Sequence, residues 1–155
     1  MAIWYTDQGR TFGTRVGAGI SRQVQAATAI VTMTTTMIDN ADDEVSLFWL
    51  PKGAVIVGIA ATASDMDSGT TLAFDIGDDA DEDRLMTNSA IGQAATASTA
   101  LAPTGVLYKY TTDTRIKAYT RTAATGASAG TLTVVVYYFV DPEFSTAGVT
   151  ASTTA

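Results

Sequence analysis

The chain has 155 residues, sixteen acidic and nine basic side chains, a net charge of -7, and neither Cys nor His. No disulfide, Cys-based zinc site, thiol chemistry, His general base or His pH switch is therefore available. A globally acidic chain is also a poor nucleic-acid ligand, because phosphate binding is driven by Lys and Arg.

This length is that of one domain, able to bury roughly two thirds of its unfolded surface. No run of about 18 apolar residues predicts a transmembrane helix. Met1-Ala2-Ile3-Trp4-Tyr5 lacks the basic-then-apolar order of a signal peptide. Thr, Ala and Gly are abundant, and Thr and Val suit pleated surfaces.

Residues 1–23 show no period. Trp4, Tyr5 and Phe12 are spaced by Gly and polar residues, with Arg10, Arg15 and Arg22 against Asp7 alone. They read as an extended N-terminal arm; the plainer account is a frayed terminus. Aromatics and Arg are the side chains that anchor interfaces.

From Val24 the pattern is β. In the strand predicted over 29–38, Val31, Met33 and Met37 lie on one side and Thr32, Thr34 and Thr36 on the other. Asp39-Asn40-Ala41-Asp42-Asp43-Glu44 is a turn, and Val45 to Leu50 is the next strand. Pro51-Lys52-Gly53 is a turn in which Pro presets φ and Gly supplies positive φ. Ala54 to Ala63 is a strand, and Gly58 within it signals a bulge or a close neighbour.

Asp65 to Thr70 is a loop leading into a strand over 70–76, which Gly77 is expected to break. An acidic loop follows, with Asp75, Asp78, Asp79, Asp81, Glu82 and Asp83 crowded together, then one short helical turn at Arg84-Leu85-Met86. Asn88 to Pro103 reads as a short helix and a loop, of a length that often marks a functional surface. Val106 to Tyr110 is a strand. In the strand 114–122, Arg115, Lys117, Tyr119 and Arg121 face one way and Ile116, Ala118 and Thr120 the other. Gly130 to Val140 is the longest β run, expected to be central and buried on both faces for part of its length. Asp141-Pro142 stops it. The predicted organisation is an arm (1–23), a β domain (24–142) and a small-residue tail (143–155). The predicted fold is an all-β antiparallel sandwich, jelly-roll-like, with at most one short helix.

Three groups of residues invite a chemical reading. The crowded carboxylates, chiefly Asp78, Asp79, Asp81 and Asp83, suggest a divalent cation such as Ca²⁺. An EF-hand loop fails: with Asp79, Asp81 and Asp83 as ligands it needs Gly at 84 and Glu at 90, where the chain has Arg84 and Ala90. Asp81 and Asp83 at a helix N-terminus, a local Arg84 pair and solvation of the rest explain the same run, and no metal or other cofactor is assigned. Carboxylate pairs such as Asp75 with Asp78, or Asp65 with Asp67, are what a glycosidase needs, but they lack the apolar pocket that raises a catalytic acid's pKa. No Ser triad or phosphate-binding Gly motif is present, so no enzyme is predicted. Arg115, Lys117 and Arg121, interleaved with Tyr119, form a basic strand face suited to a partner that presents acidic groups.

Leu50-Pro51-Lys52-Gly53-Ala54, Asp65-Met66-Asp67-Ser68-Gly69, Leu72-Ala73-Phe74-Asp75-Ile76-Gly77-Asp78 with Asp81-Glu82-Asp83-Arg84-Leu85, and the late strand Gly130 to Tyr138 together resemble the head decoration or cement proteins of tailed bacteriophages. The resemblance spans about residues 45–140. It implies a structural protein on the outer capsid surface that bridges major capsid protein subunits as a homotrimer, without nucleic acid or membrane as partner. Trp4, Tyr5, Arg10, Phe12 and Arg15 of the arm, with Arg115, Lys117 and Arg121, are then the expected capsid or subunit contacts. The alternative is a receptor- or carbohydrate-binding sandwich of a fibre or tail, with Tyr108 and Tyr110 stacking on sugar.

Overall fold

The computed structural model describes residues 23–141. Eight strands run through them: β1 (Gln25–Met33), β2 (Glu44–Leu50), β3 (Ala54–Ala63), β4 (Ala73–Asp78), β5 (Asp81–Ser89), β6 (Ala97–Ser98), β7 (Thr114–Thr122) and β8 (Gly130–Val140). One sheet has the order β1-β8-β3-β6, the other β2-β7-β4-β5, and every pairing is antiparallel. The partnering is nested, β1 with β8, β2 with β7, β3 with β6 and β4 with β5, which is a long hairpin rolled over between two sheets. The fold is thus the expected β-sandwich, in a jelly-roll-like order. Among the described residues helical structure is limited to 3-10 turns at Thr35–Met37, Ile91–Gln93 and Pro103–Gly105.

The core forms where the two inward faces meet. Alternate residues Leu132, Val134 and Val136 of β8 are fully buried beside Ile56 of β3, and Phe74, Ile76, Ile116 and Leu50 of the other sheet have no exposed surface either. Strand periodicity alone puts these side chains on one side. The Pro51-Lys52-Gly53 turn behaves as read: Gly53 has φ +86°, and Ala54 N–H donates to the Pro51 carbonyl at 3.0 Å. The bulge expected at Gly58 is present, as the β3–β8 register shifts between Ile56 and Gly58.

Four expectations need correction. The first strand starts at Gln25 and stops at Met33, because the Thr35–Met37 turn swings Ile38 into the core at 0 % exposure. Gly77 does not break its strand. It lies within β4, and the acidic run continues as β5 without a helical turn at 84–86. Glycine is needed there for space: a Cβ on Gly77 would overlap the Asp81 carbonyl and the Glu82 backbone. Residues 107–110 form no full strand, yet they pair with the start of β3, Leu107 and Tyr110 N–H donating to the Ile56 and Ala54 carbonyls at 3.0 and 2.9 Å. β8 is central but buries one face only; Tyr137 on the other face is 39 % exposed.

Candidate interaction surface

The acidic run folds into a hairpin whose charges are matched locally. Asp78 ends β4 and is almost fully buried. Its Oδ1 accepts from Ala80 N at 2.9 Å and Asp81 N at 3.1 Å, which is an Asx-type turn. Its Oδ2 accepts from Arg84 Nε at 2.6 Å and from Tyr110 OH at 3.1 Å. Arg84 reaches back because β5 bulges: β5 advances from Asp81 to Met86 while β4 moves only from Asp78 to Ile76. The Arg84 guanidinium also stacks 3.8 Å from the Tyr108 ring centre, and Tyr108 packs edge-on to Tyr110 with centroids 5.0 Å apart. Burial pushes the Tyr110 hydroxyl up, and the Asp78 charge adds to that shift. Burial would lower the Arg84 guanidinium, but its hydrogen bond to Asp78 more than offsets this and raises it.

The carboxylates read as cation candidates are therefore engaged with protein groups. Asp79 Oδ1 lies 2.5 Å from Lys117 Nζ, Asp81 Oδ2 3.5 Å from Arg84 Nη1, and Asp83 Oδ2 accepts from Thr87 Oγ1 at 3.2 Å. Burial, then a shared hydrogen bond with Asp83, pushes Asp81 up. Among the described residues no three acidic side chains converge as a metal site needs. The pairs considered for glycosidase chemistry are engaged as well. Asp75 Oδ1 accepts from Asn88 N at 2.6 Å, and Asp67 is a fully buried anchor.

Sequence reasoning gave Asp67 no structural part. Its Oδ1 accepts from Gly69 N at 2.9 Å and Gly126 N at 2.8 Å, and its Oδ2 from Thr71 N at 2.6 Å and Leu72 N at 2.7 Å. Thr71 Oγ1 has one hydrogen to give, and the Ala123 carbonyl at 2.8 Å is nearer than Asp67 Oδ2 at 3.1 Å. Burial raises the Asp67 carboxyl, but the backbone donors Gly126, Leu72, Thr71 and Gly69 together hold it well below the usual carboxylate range. The Asp-x-x-x-Thr spacing from Asp67 to Thr71 was the available signal, since Asp commonly caps its own loop.

The basic strand face is real in geometry but largely neutralised. On β7, Ile116 and Ala118 point into the core, and Arg115, Lys117, Tyr119 and Arg121 point to the outer side. Ser46 stands opposite Lys117, so Glu44 two residues earlier reaches it diagonally. Gly77 also pairs with Lys117, and Asp79 two residues later closes from the other strand. Lys117 Nζ thus lies 2.8 Å from both Glu44 oxygens and 2.5 Å from Asp79, and its side chain is 5 % exposed. Hydrogen bonds to Asp79 and then Glu44 raise its pKa; the bond to Lys117 lowers that of Asp79. Arg121 stays exposed, with Nη1 3.5 Å from Asp75 Oδ2.

Arg115 is different. It pairs across β2–β7 with Trp49, whose ring is 63 % exposed and lies 5.7 Å from the guanidinium carbon. Its buried Nε has no hydrogen-bond partner. The two side chains line a cleft of about 360 Å³, with Asp79, Tyr110 and Asp113 on its other walls. Trp49 was not singled out from sequence, because alternation alone does not tell which side of β2 faces out. Trp4, Tyr5, Arg10, Phe12 and Arg15 lie outside the described residues.

No family model matches the sequence, and no curated protein matches it significantly. Solved structures do. A chain of the cyanophage Pam1 capsid asymmetric unit is 26 % identical with a TM-score of 0.74, covering 91 % of this chain and 100 % of that one. A chain of the Ralstonia phage GP4 capsid is 24 % identical with a TM-score of 0.66, covering 77 % and 86 %. A chain of the acidic stable capsid of Helicobacter pylori bacteriophage KHP30 is 15 % identical with a TM-score of 0.53, covering 75 % and 87 %. The last two share the fold alone. Chains of phage capsid structures are thus what this β-sandwich is similar to, and the chain resembles phage capsid-associated proteins.

Proposed function

We propose that this chain is a structural protein of a phage virion that binds the outer capsid surface and bridges major capsid protein subunits, acting as a homotrimer. The observation that carries the reading is the likeness to a chain of the Pam1 capsid over nearly the whole length of both. Physics fits the role. Internal pressure loads a shell, and a rigid sandwich spanning neighbouring subunits adds contact area that resists their separation. Closed symmetry suits a module placed where several capsomers meet. The engaged carboxylates fit a non-enzymatic part.

In this reading Arg115, Arg121 and Trp49 offer the charged and aromatic contacts to the capsid. The arm (1–23), with Trp4, Tyr5, Arg10, Phe12 and Arg15, supplies further contacts beyond the sandwich domain (24–142) and its tail (143–155). The sugar-binding alternative loses support from the structure, since Tyr110 is 3 % exposed and Tyr108 is covered by Arg84.

The deciding measurement is copy number per purified virion, by quantitative mass spectrometry against the major capsid protein. Near parity is expected. A few copies, or a few dozen, would overturn the reading in favour of a fibre or tail module. Deleting residues 1–22 is expected to preserve the fold and abolish particle binding; retained binding would remove the arm from the mechanism.

A further inference from the structure

The two sheets differ sharply in charge. No residue of β1, β3, β6 or β8 is charged, whereas each strand of the other sheet is: Glu44 on β2, Asp75 and Asp78 on β4, Asp81 to Arg84 on β5, and Arg115, Lys117 and Arg121 on β7. The inner side of the neutral sheet builds the core. Its outer side carries Thr and Ala with exposed apolar side chains among them: Ile30 at 74 %, Val57 at 40 % and Tyr137 at 39 %. Ile30 stands opposite Thr133, and Tyr137 lies between Ala26 and Gly58, so these residues spread across three adjacent strands.

The same sheet has the least protected edge. Exposed edges are normally blunted by charge, bulges or shortness. β2 has Glu44 and a bulge between Ser46 and Phe48, β5 has its run of charges, and β6 is two residues long. β1 has no charge, no Pro and no bulge, and it pairs with β8 without interruption from Gln25 to Met33. Its other edge meets no strand among the described residues.

We infer that copies of this chain meet through the neutral sheet, by its outer face and the β1 edge that meets no strand among the described residues. The inference rests on the self-association in the proposed function and names the surface that serves it. A partner presenting charge here would lose hydration without gaining a counter-charge. Two copies, each at -7, repel one another unless their acidic parts point apart. Contact through the neutral sheets meets both conditions, because each copy then turns its charged sheet away from its neighbours. It also offers the β1 backbone groups an uncharged partner strand.

The test is the mass of the full chain in solution, by sedimentation velocity and light scattering, at about 50 and 500 mM salt. The natural chain is expected to be oligomeric at both, since screening relieves repulsion and removes no attraction. The double variant Ile30→Lys/Tyr137→Lys, and separately Thr32→Lys, are expected to weaken self-association about tenfold or more. Thr122→Lys, on the charged sheet, is expected to leave it unchanged. Should the double variant fail to fold by circular dichroism, exposed Thr32→Lys alone decides. A monomeric natural chain, an oligomer that survives the neutral-sheet Lys, or one that salt dissociates would each overturn the inference. A chain that self-associates as described but does not bind capsid particles upholds the inference and overturns the capsid reading.

Discussion

Replacing Asp67 by Asn tests whether one buried carboxylate holds together two loops far apart in sequence. Four backbone N–H groups point at its oxygens, from Gly69, Thr71, Leu72 and Gly126, at 2.6 to 2.9 Å. An amide keeps one oxygen as acceptor and turns an NH₂ toward the other two donors. Two charge-assisted bonds, worth about 1.5–3 kcal/mol each, are then lost. With partial relaxation of the loops, Asp67→Asn is expected to destabilise by about 3–5 kcal/mol. At about 4 °C per kcal/mol for a domain of this size, the melting temperature falls by roughly 12–20 °C. Near-UV circular dichroism or calorimetry reads this directly, and hydrogen exchange at Leu72 and Gly126 should accelerate. The pH dependence provides a second reading. Asp67 has a folded pKa below its unfolded value, so its stabilisation is present above about pH 4 and is lost as pH falls below that. The natural chain should therefore lose stability on acidification more steeply than Asp67→Asn. A melting temperature within about 3 °C of the natural chain, or parallel acid profiles, would refute the argument.

Two further perturbations probe the hairpin. Tyr110→Phe removes the hydroxyl bonded to Asp78 and is expected to cost about 1 kcal/mol near neutral pH, measured by urea denaturation. Because burial and Asp78 raise the Tyr110 pKa, the natural chain should lose stability as pH climbs past about 10, and the variant should lose less; equal alkaline profiles would count against the bond. Gly77→Ala puts a methyl group into the Asp81 and Glu82 backbone and is expected to destabilise by about 2–4 kcal/mol. A loss below about 0.5 kcal/mol would mean that the β5 bulge moves aside freely.

Much of the sandwich was legible in the sequence. β3 and β7 were bounded correctly, over 54–63 and 114–122. β3 follows the Pro51-Lys52-Gly53 turn as an apolar run, and β7 alternates with a period of two up to a small-residue loop; local chemistry of that kind needs no distant partner. The β4–β5 hairpin was misread for the converse reason. Gly77 and a run of carboxylates look like loop in isolation; only the strand crossing behind Gly77, and Arg84 folding back on Asp78, make them strand. Tyr108 and Tyr110 looked like a free aromatic pair, but Arg84 and the core take them up.

The sequence alone determined an all-β chain, the turn at Pro51-Lys52-Gly53, the two-sided character of β7 and the lack of His and Cys chemistry. These follow from side-chain type and a period of two, both local properties. Only the tertiary structure decided that Asp67 anchors Gly126, 59 residues away, and that Glu44 covers Lys117 across 73 residues. It also gathered the uncharged strands into one sheet and the charged strands into the other. Strand order is set by how the whole hairpin rolls to bury one face of every strand, and no local stretch of sequence carries that information.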